Sequence, residues 1–226
     1  MSSGRQGYGG EAGATRAEIV AEQIKQAIRA GAYGSGQRLV ELMLAAKLNV
    51  SQNTVRDALR LLESAGWVVK RARHGVYVRS FTRDEAEELY SLWQAIEGLA
   101  LQWVMKTANK KDLTQLSRLI QIARKDMLDG ELEESTEAIF QFHMMIGQIC
   151  GKAQTRELLA SLHNRIYLLE IIRQMRAPRS LHSQEERLNL YDKLVSLIAM
   201  SQFADAQKLL AHLIQSDCDT LLPLLD

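Results

Sequence analysis

The sequence predicts a mostly α-helical protein in two parts: an N-terminal winged helix-turn-helix over residues 15–80 and an all-α antiparallel helical bundle over residues 81–226. Ten of the fourteen glycines precede residue 81, so tight turns belong to the first part. Residues 15–80 carry eleven Lys or Arg against five Asp or Glu, a net +6, and residues 81–226 carry sixteen against twenty-one, a net −5. A basic module joined to an acidic bundle indicates nucleic-acid binding by the first part only.

The chain opens with a segment that predicts no regular structure. Residues 1–14 are rich in Gly and lack apolar periodicity, so we expect a disordered tail. From Thr15, a plausible N-cap, apolar residues follow the spacing of an amphipathic helix that ends at Gly31. A glycine turn follows, and residues 38–40 predict a short extended piece.

The next two segments predict a helix-turn-helix. Residues 42–48 form a short apolar helix, and after a two-residue turn Ser51 is a good N-cap for a third helix. One face of that helix is apolar, through Val55, Ala58, Leu59 and Leu62. The other face presents amide and guanidinium groups suited to base edges and phosphates, from Gln52, Asn53, Arg56 and Arg60. This is the pattern of a recognition helix, although Arg60 is equally placed to pair with Asp57 or Glu63.

Two short strands complete the first part, over residues 67–70 and 76–79, around a basic tip at residues 71–75. Three helices followed by such a hairpin are typical of a winged helix-turn-helix, and Arg71 and Arg73 are expected to contact phosphates. The alternative is a small α+β domain with a basic surface. It does not account for a polar helix face and a basic hairpin tip in the order that DNA grooves require.

Residues 15–80 as a whole resemble the N-terminal domain of GntR-family bacterial transcription regulators. The residues that carry the resemblance include Gly36-Gln37-Arg38-Leu39, Val50-Ser51, Val55-Arg56-Asp57-Ala58-Leu59, Gly66-Trp67 and His74-Gly75-Val76-Tyr77-Val78. The resemblance implies that the turn after the second helix, the start of the third helix and the wing tip meet double-stranded DNA. The expected DNA-binding residues are Arg38, Ser51, Gln52, Asn53, Thr54, Arg56, Arg60, Arg73, His74 and Gly75.

Two positions depart from the family's usual pattern. Gln52 stands where an arginine commonly follows the serine of the third helix, and Leu42 stands where a helix-two arginine is often found. Arginine favours guanine O6 and N7, whereas glutamine pairs with adenine N6 and N7. We therefore expect an operator that depends less on guanine at the Gln52 position.

The larger part predicts helices alone. Thr82 and Glu85 form a capping box for a long helix to about residue 105, and five further helices run over roughly 111–128, 132–149, 153–176, 182–200 and 202–221. Because these helices follow a GntR-like DNA-binding domain, the segment resembles the all-helical FCD domain of FadR-type regulators. The resemblance implies a pocket for a small carboxylate, often beside a divalent metal held by one aspartate and three histidines.

The metal ligands of those relatives are incomplete here. His143 and His212 match, but Ile139 stands at the aspartate position and Arg187 at the intermediate histidine. His163 or His182 would substitute only under a different local alignment. The expectation is therefore no cofactor, although a divalent metal such as Zn²⁺ stays open, and His143 and His212 are equally consistent with hydrogen-bonded core histidines.

The expected effector pocket comprises Trp93, Glu97, Ile139, His143, Arg187 and His212. If Arg187 points inward, its planar fork is suited to hold a carboxylate in place of the metal. Trp93 and Ile139 would make the pocket apolar, which suits an acid with an apolar or aromatic body.

The function predicted from these features is a ligand-responsive transcription regulator that binds a pseudo-palindromic operator as a homodimer. The predicted partners are double-stranded DNA, a small organic acid and a second copy, with no membrane. The location is expected to be cytoplasmic, and whether the effector releases or recruits DNA is left open. An enzyme is disfavoured because no nucleophile–histidine arrangement, phosphate-binding glycine loop or complete metal set is seen. The alternative is a DNA-binding protein whose bundle only dimerises, and an enclosed polar cavity would favour the sensor.

Overall fold

The computed structural model describes residues 14–225, so the predicted tail over residues 1–14 lies outside it except for Ala14. The first unit follows the predicted order of three helices and three strands. Its elements are α1 (Arg16–Arg29), β1 (Arg38–Leu39), α2 (Glu41–Leu48), α3 (Gln52–Ser64), β2 (Val68–Arg71) and β3 (Gly75–Val78).

Local chemistry sets the ends of these elements. Thr15 caps α1 in a capping box with Glu18, and the Ser51 hydroxyl accepts from the Thr54 amide at the start of α3. Asn49 ends α2 in the left-handed conformation, with φ of 52°, which turns the chain into α3. The three strands form one antiparallel sheet in the order β1-β3-β2, with Val69 opposite Tyr77.

The second unit is the predicted helical bundle. Its helices begin and end within a few residues of the predicted bounds, and a 3-10 turn over Leu222–Leu224 follows the last of them. They are α4 (Arg83–Thr107), α5 (Lys110–Leu128), α6 (Leu132–Ile149), α7 (Ala153–Arg176), α8 (Leu181–Ala199) and α9 (Phe203–Leu221). The mostly α fold class is confirmed.

The predicted breaks between bundle helices have clear backbone causes. Gly130 and Gly151 adopt φ of +85° and +66°, which end α5 and α6 in a conformation that glycine tolerates best. Thr82 and Glu85 form the predicted capping box of α4. In residues 14–225, no helix combines the length and apolar character needed to cross a lipid bilayer.

The two units pack against each other directly. The buried Trp67 ring meets Tyr167 of α7 edge-on, with ring centroids 5.8 Å apart. Arg29, in the last turn of α1, pairs with Glu133 at 2.9 Å and Glu137 at 3.3 Å on α6. The end of α1 is therefore held to the bundle by charge as well as by aromatic packing.

Candidate DNA interface and ligand site

The third helix has the two faces that the sequence predicts. Val55, Ala58, Leu59 and Leu62 are buried, whereas Gln52 and Asn53 are exposed in the first turn. Thr54 is half-buried, and its hydroxyl is 2.8 Å from that of Ser51. The apolar face therefore fixes the helix on its domain and leaves the amide side chains free to reach base edges.

Both arginines of this helix are paired with acids. Nη2 of Arg56 donates to Glu41 of α2 at 2.9 Å, and this hydrogen bond and charge raise the pKa of Arg56. Arg60 pairs with Asp57 at 3.1 Å rather than with Glu63. Because all four side chains are substantially exposed, these pairs contribute little stability and are available for exchange with phosphates or bases.

The wing is an ordered hairpin that carries three of the predicted DNA contacts. Arg73 and Gly75 adopt φ of 64° and 105°, and the exposed His74 lies between them. The Tyr77 hydroxyl donates to the His74 carbonyl at 3.2 Å, and the Arg71 guanidinium lies 4.5 Å from the Tyr77 ring centre. Arg71 is thus partly engaged in the hairpin, while Arg73 and His74 project at its tip.

Arg38 belongs to the same surface. Its Nε atom would lie 3.1 Å from a Cβ added to Gly75, so the guanidinium rests against the wing where only glycine leaves room. A cleft of about 80 Å³ then joins helix and wing, and its lining includes Arg56, Arg60, Lys70 and Val76. The cleft therefore brings Arg56 and Arg60 of the recognition helix beside Lys70 of the wing, and Glu41 and Glu63 also line it.

In the bundle, a buried hydrogen-bonded chain runs from α4 to α8. His143 Nδ1 donates to Glu97 at 2.7 Å, since a carboxylate only accepts, and its Nε2 forms a hydrogen bond of 2.8 Å with the Tyr191 hydroxyl. Arg187 Nη2 in turn donates to the Tyr191 oxygen at 3.1 Å. His143 is therefore a fully hydrogen-bonded core histidine.

A cluster of three arginines and two acids continues from Arg187. Arg187 binds both oxygens of Asp217, at 3.0 and 2.6 Å, and Arg173 binds both oxygens of Glu170, at 2.9 and 2.6 Å. Arg179 joins the two pairs, donating to Glu170 at 2.8 Å and to Asp217 at 2.6 Å. We call these five residues the arginine cluster. It carries a formal net charge of +1.

Burial and pairing compete in the pKa values of these groups. Burial alone would raise the pKa of Glu97, but His143 and His163 lower it to about 2. Burial likewise opposes ionisation of Asp217 and Arg187, yet their mutual attraction lowers the pKa of Asp217 and raises that of Arg187. The charged forms of all three side chains are therefore the stable ones near neutral pH.

Four members of the arginine cluster, all except Asp217, line a partly enclosed cavity of about 30 Å³ between α6, α7 and α8. The cavity has room for one or two water molecules. Among the predicted pocket residues, Ile139 and Arg187 line it. Trp93, Glu97 and His143 do not; they pack together behind it, with the Trp93 and His143 ring centroids 4.8 Å apart. The predicted pocket is thus split into a cavity and a buried core.

The prediction for His212 is wrong. The inward face of α9 follows Ala206, Leu210, Leu213 and Asp217, and His212 lies one position off this stripe and is exposed. The structure likewise gives Arg187 a partner that the sequence did not suggest, since Asp217 already occupies its fork. Within residues 14–225, no group of three or more His, Cys, Asp or Glu side chains is arranged to hold a metal ion.

Sequence reasoning missed the rest of the arginine cluster and its neighbour Tyr191. Two of the missed residues carried a signal. Asp217 stands alone as an acid in the apolar stripe of α9, and Glu170 interrupts a buried run in α7. A charged residue at a core position is rarely buried without a partner, so both positions predict a buried ion pair. Arg179 has no such signal because it lies in the connection after α7.

A second cleft adjoins the cavity at the contact between the two units. It measures about 300 Å³ and is lined by residues of α6 and α7, by Arg29 at the end of α1, and by Ala30 and Gly31 just after it. Leu132, Gln174 and Pro178 line both spaces. These three residues are therefore the wall between the interior of the bundle and the DNA-binding unit.

Comparison with known proteins places both units. Residues 16–78 match the sequence profile of bacterial regulatory proteins of the gntR family, and residues 88–216 match that of the FCD domain. The chain is 27% identical over 202 residues to the HTH-type transcriptional regulator YdhC of Bacillus subtilis, covering 88% of each chain. It is 28% identical over 209 residues to LutR of the same organism, covering 82% of this chain and 92% of that protein.

Solved structures agree in fold. Escherichia coli McbR/YncC superposes with a TM-score of 0.80 at 19% identity, over 94% of this chain and 99% of that one. A GntR transcriptional regulator from Rhodococcus sp. RHA1 superposes with a TM-score of 0.78 at 22% identity, over 93% and 99%. The two family profiles cover the winged unit and the bundle separately. The chain belongs to the GntR family of bacterial regulatory proteins, as a DNA-binding transcription regulator with an FCD domain.

Proposed function

We propose that this regulator acts as a homodimer on a pseudo-palindromic operator, and that a small organic acid bound at the arginine cluster changes its operator affinity. The bundle has no catalytic role in this proposal. The observation that carries it is the buried and half-buried cluster of three arginines and two acids, of which all but Asp217 line a cavity. Such a cluster is a site for one more negative charge.

The DNA-binding half of the proposal rests on the face formed by α3, the wing and Arg38. Gln52 and Asn53 are free to meet base edges, and Arg56 and Arg60 exchange their acidic partners for DNA. Arg73, His74 and Gly75 at the wing tip approach the minor groove or its phosphates. Ser51 and Thr54 order the first turn of α3 and offer their hydroxyls beside it.

The charge balance of the arginine cluster supports an anionic effector. Arg173 and Arg187 each have a bidentate acid, whereas Arg179 shares those same two carboxylates. Burying an excess positive charge is unfavourable, so a carboxylate that binds Arg179 would complete the neutralisation. Ile139, Phe140 and Leu188 line the remaining wall and suit an apolar body on that acid.

The size of the cavity sets how such an acid would act. Ligand pockets usually measure about 300–1,000 Å³, an order of magnitude more than the 30 Å³ of this cavity. Binding therefore requires that the helices around the cavity separate. An acid that binds only the opened arrangement shifts the population toward it, which is the thermodynamic requirement for regulation.

Helix α6 connects this opening to the DNA-binding unit. Ser135, Thr136 and Ile139 of α6 line the cavity, and Glu133 and Glu137 of the same helix hold Arg29 of α1. A displacement of α6 that widens the cavity would act on Arg29 as well. We infer that this ion pair transmits effector binding to the position of the winged domain.

A second copy is the proposed partner of the outer face of α4. Leu92 and Leu99 are exposed, and the half-buried Ile96 and Trp103 continue the same stripe at helical spacing over about 16 Å. One winged domain reads a single half-site, so an operator with two half-sites needs a dimer. The stripe offers an apolar surface that two copies can share about a twofold axis.

The small cavity also favours the alternative, in which the bundle only dimerises. Thermal unfolding of the full chain with a panel of mono- and dicarboxylic acids distinguishes a ligand sensor from a bundle that only dimerises. If the protein is a sensor, at least one acid should shift the midpoint of thermal unfolding. Arg179→Gln should lose this shift. Arg118→Gln, which changes an exposed arginine of α5, should keep it. The same acid must change the affinity for an operator selected with the native chain. If no acid shifts the midpoint or the operator affinity, the dimerisation function is the correct one.

A further inference from the structure

The first turn of α2 carries an exposed apolar patch. The patch is neither part of the cationic surface proposed to face DNA nor part of the helical bundle. Leu42 and Met43 are 63% and 69% exposed, and Val40 just before the helix is 39% exposed. The inward face of the helix is already filled by the buried Leu44 and Ala45. We call Val40, Leu42 and Met43 the α2 patch.

The position of this patch follows from its neighbour Glu41. Glu41 accepts two hydrogen bonds from Arg56, at 3.2 Å from Nε and 2.9 Å from Nη2. It also lines the cleft that holds Arg56, Arg60 and Lys70. The first turn of α2 therefore lies beside the outward face of the recognition helix, and a duplex bound to that face comes close to the α2 patch.

The chemistry of the patch selects what it can contact on DNA. The side chains of Leu42 and Met43 have no hydrogen-bond donor to offer a phosphate or a base. The thymine 5-methyl group is the apolar feature of base edges in the major groove, and apolar side chains contact it. A three-residue patch is also far smaller than the roughly 800 Å² per partner of a stable protein interface.

We propose that Leu42, supported by Met43, is a specificity-determining residue that recognises a thymine methyl group in each half-site. The proposal rests on the DNA-binding function. Together with Gln52, whose amide suits adenine, it makes the major-groove surface of this regulator selective for A·T pairs. The α2 patch and the recognition helix then read neighbouring positions of one half-site.

The test uses duplexes that differ by single methyl groups. An operator is first selected from a random duplex library with the native full-length chain. Each thymine is then replaced singly by deoxyuridine, which removes only the methyl group, and Kd is measured at fixed salt. We expect one thymine per half-site at which methyl removal weakens binding roughly fourfold, the factor for burying one methyl group.

The same duplexes are measured with Leu42→Ala and with Met200→Ala, a residue of similar exposure in the bundle. In Leu42→Ala the methyl dependence at that thymine should vanish, while Met200→Ala keeps it.

Equal methyl dependence in Leu42→Ala and the native chain would overturn the proposal, as would the absence of any sensitive thymine. A loss of dimer in Leu42→Ala by light scattering, with unchanged methyl dependence, would assign the patch to a protein contact. Failure to select any operator would instead contradict the DNA-binding function.

Discussion

The guanidinium of Arg187 holds both carboxylate oxygens of Asp217, across thirty positions of sequence, at 3.0 and 2.6 Å. Asp217 is simultaneously bound by Arg179 at 2.6 Å. One buried acid thus pairs with two half-buried cations from different parts of the chain. Removing Asp217 would leave Arg179 and Arg187 with fewer hydrogen-bond acceptors than they have in the native protein.

Asp217→Ala is therefore expected to destabilise the protein by about 3–5 kcal/mol, the usual cost of breaking a buried ion pair from one side. Urea unfolding followed by circular dichroism measures the change. Asp219→Ala is the matched control, since Asp219 is exposed two positions further along α9. Similar midpoints for the two variants would contradict a structural role of the arginine cluster.

Arg56→Ala is expected to weaken operator binding by about 1–3 kcal/mol and to relax base preference at the position that it contacts. The reason is that Arg56 projects from the outward face of α3, beside Gln52 and Asn53. Affinities for the selected operator and for its single-base variants measure both effects. Uniform weakening with unchanged base preference would make Arg56 a phosphate contact instead.

Arg73→Ala is expected to reduce the salt dependence of operator binding by about one unit of slope, with base preference preserved. Arg73 sits at the wing tip with φ of 64° and carries a charge suited to the phosphate backbone. Binding is measured at several potassium chloride concentrations. Arg118→Ala serves as the control, and an unchanged slope in Arg73→Ala would remove the wing tip from the interface.

Stability should fall as the pH drops below about 6.5 because of His163. Burial lowers the pKa of His163 from its ordinary value of 6.5, against an opposing effect of Glu97. Between the two pKa values the unfolded chain binds a proton that the folded chain does not. Acidification through this range therefore favours unfolding. The native unfolding midpoint is measured from pH 8 to about pH 5, above the range in which Glu97 titrates.

In His163→Gln, the decline over that pH range should be smaller than in the native chain. Glutamine keeps polar atoms near Glu97 and Met144, which lie 4.0 and 2.8 Å from the imidazole. The matched control is His182→Gln, because His182 is exposed whereas His163 is buried. Parallel profiles for all three proteins would show that another group titrates.

Arg29→Met should uncouple the two units while each stays folded. The variant removes the pairs to Glu133 and Glu137 but keeps an apolar side chain near Tyr167. Trp67 touches Tyr167, so in a chain whose other two tryptophans are replaced by Phe its fluorescence emission reports the change. We expect faster hydrogen exchange in α6 and a shifted emission, with Arg16→Met at the exposed start of α1 as the control. Unchanged exchange in α6 would argue against transmission through this contact.

Much of the fold follows from local patterns in the sequence. Apolar spacing located the bundle helices, and Gly130, Gly151 and the Thr82–Glu85 capping box marked their limits because those signals act over a few residues. The recognition helix could also be predicted from local signals, because residues 51–62 alone define its apolar and polar faces. The Arg60–Asp57 pair is also local, but choosing it over Glu63 required the side-chain rotamers.

The arrangement of the candidate ligand site depends on contacts between residues far apart in sequence, which sequence spacing does not reveal. Arg179 bridges Glu170 and Asp217, which lie nine and thirty-eight positions away. His212 failed as a pocket residue because a shift of one position on a helix turns a side chain by about 100°, and Leu213 holds the inward position. Whether a buried charge faces a cavity or a partner is decided by tertiary packing.

The wall formed by Leu132, Gln174 and Pro178 has a consequence for the length of any acid that binds. Once the helices around the cavity separate, a two- or three-carbon acid would stay on the bundle side of the wall and act only through those helices. A longer chain would pass between these side chains into the 300 Å³ cleft and touch Ala30 and Gly31 directly. Homologous acids of increasing carbon number should therefore differ in their effect on operator affinity more than in their own binding.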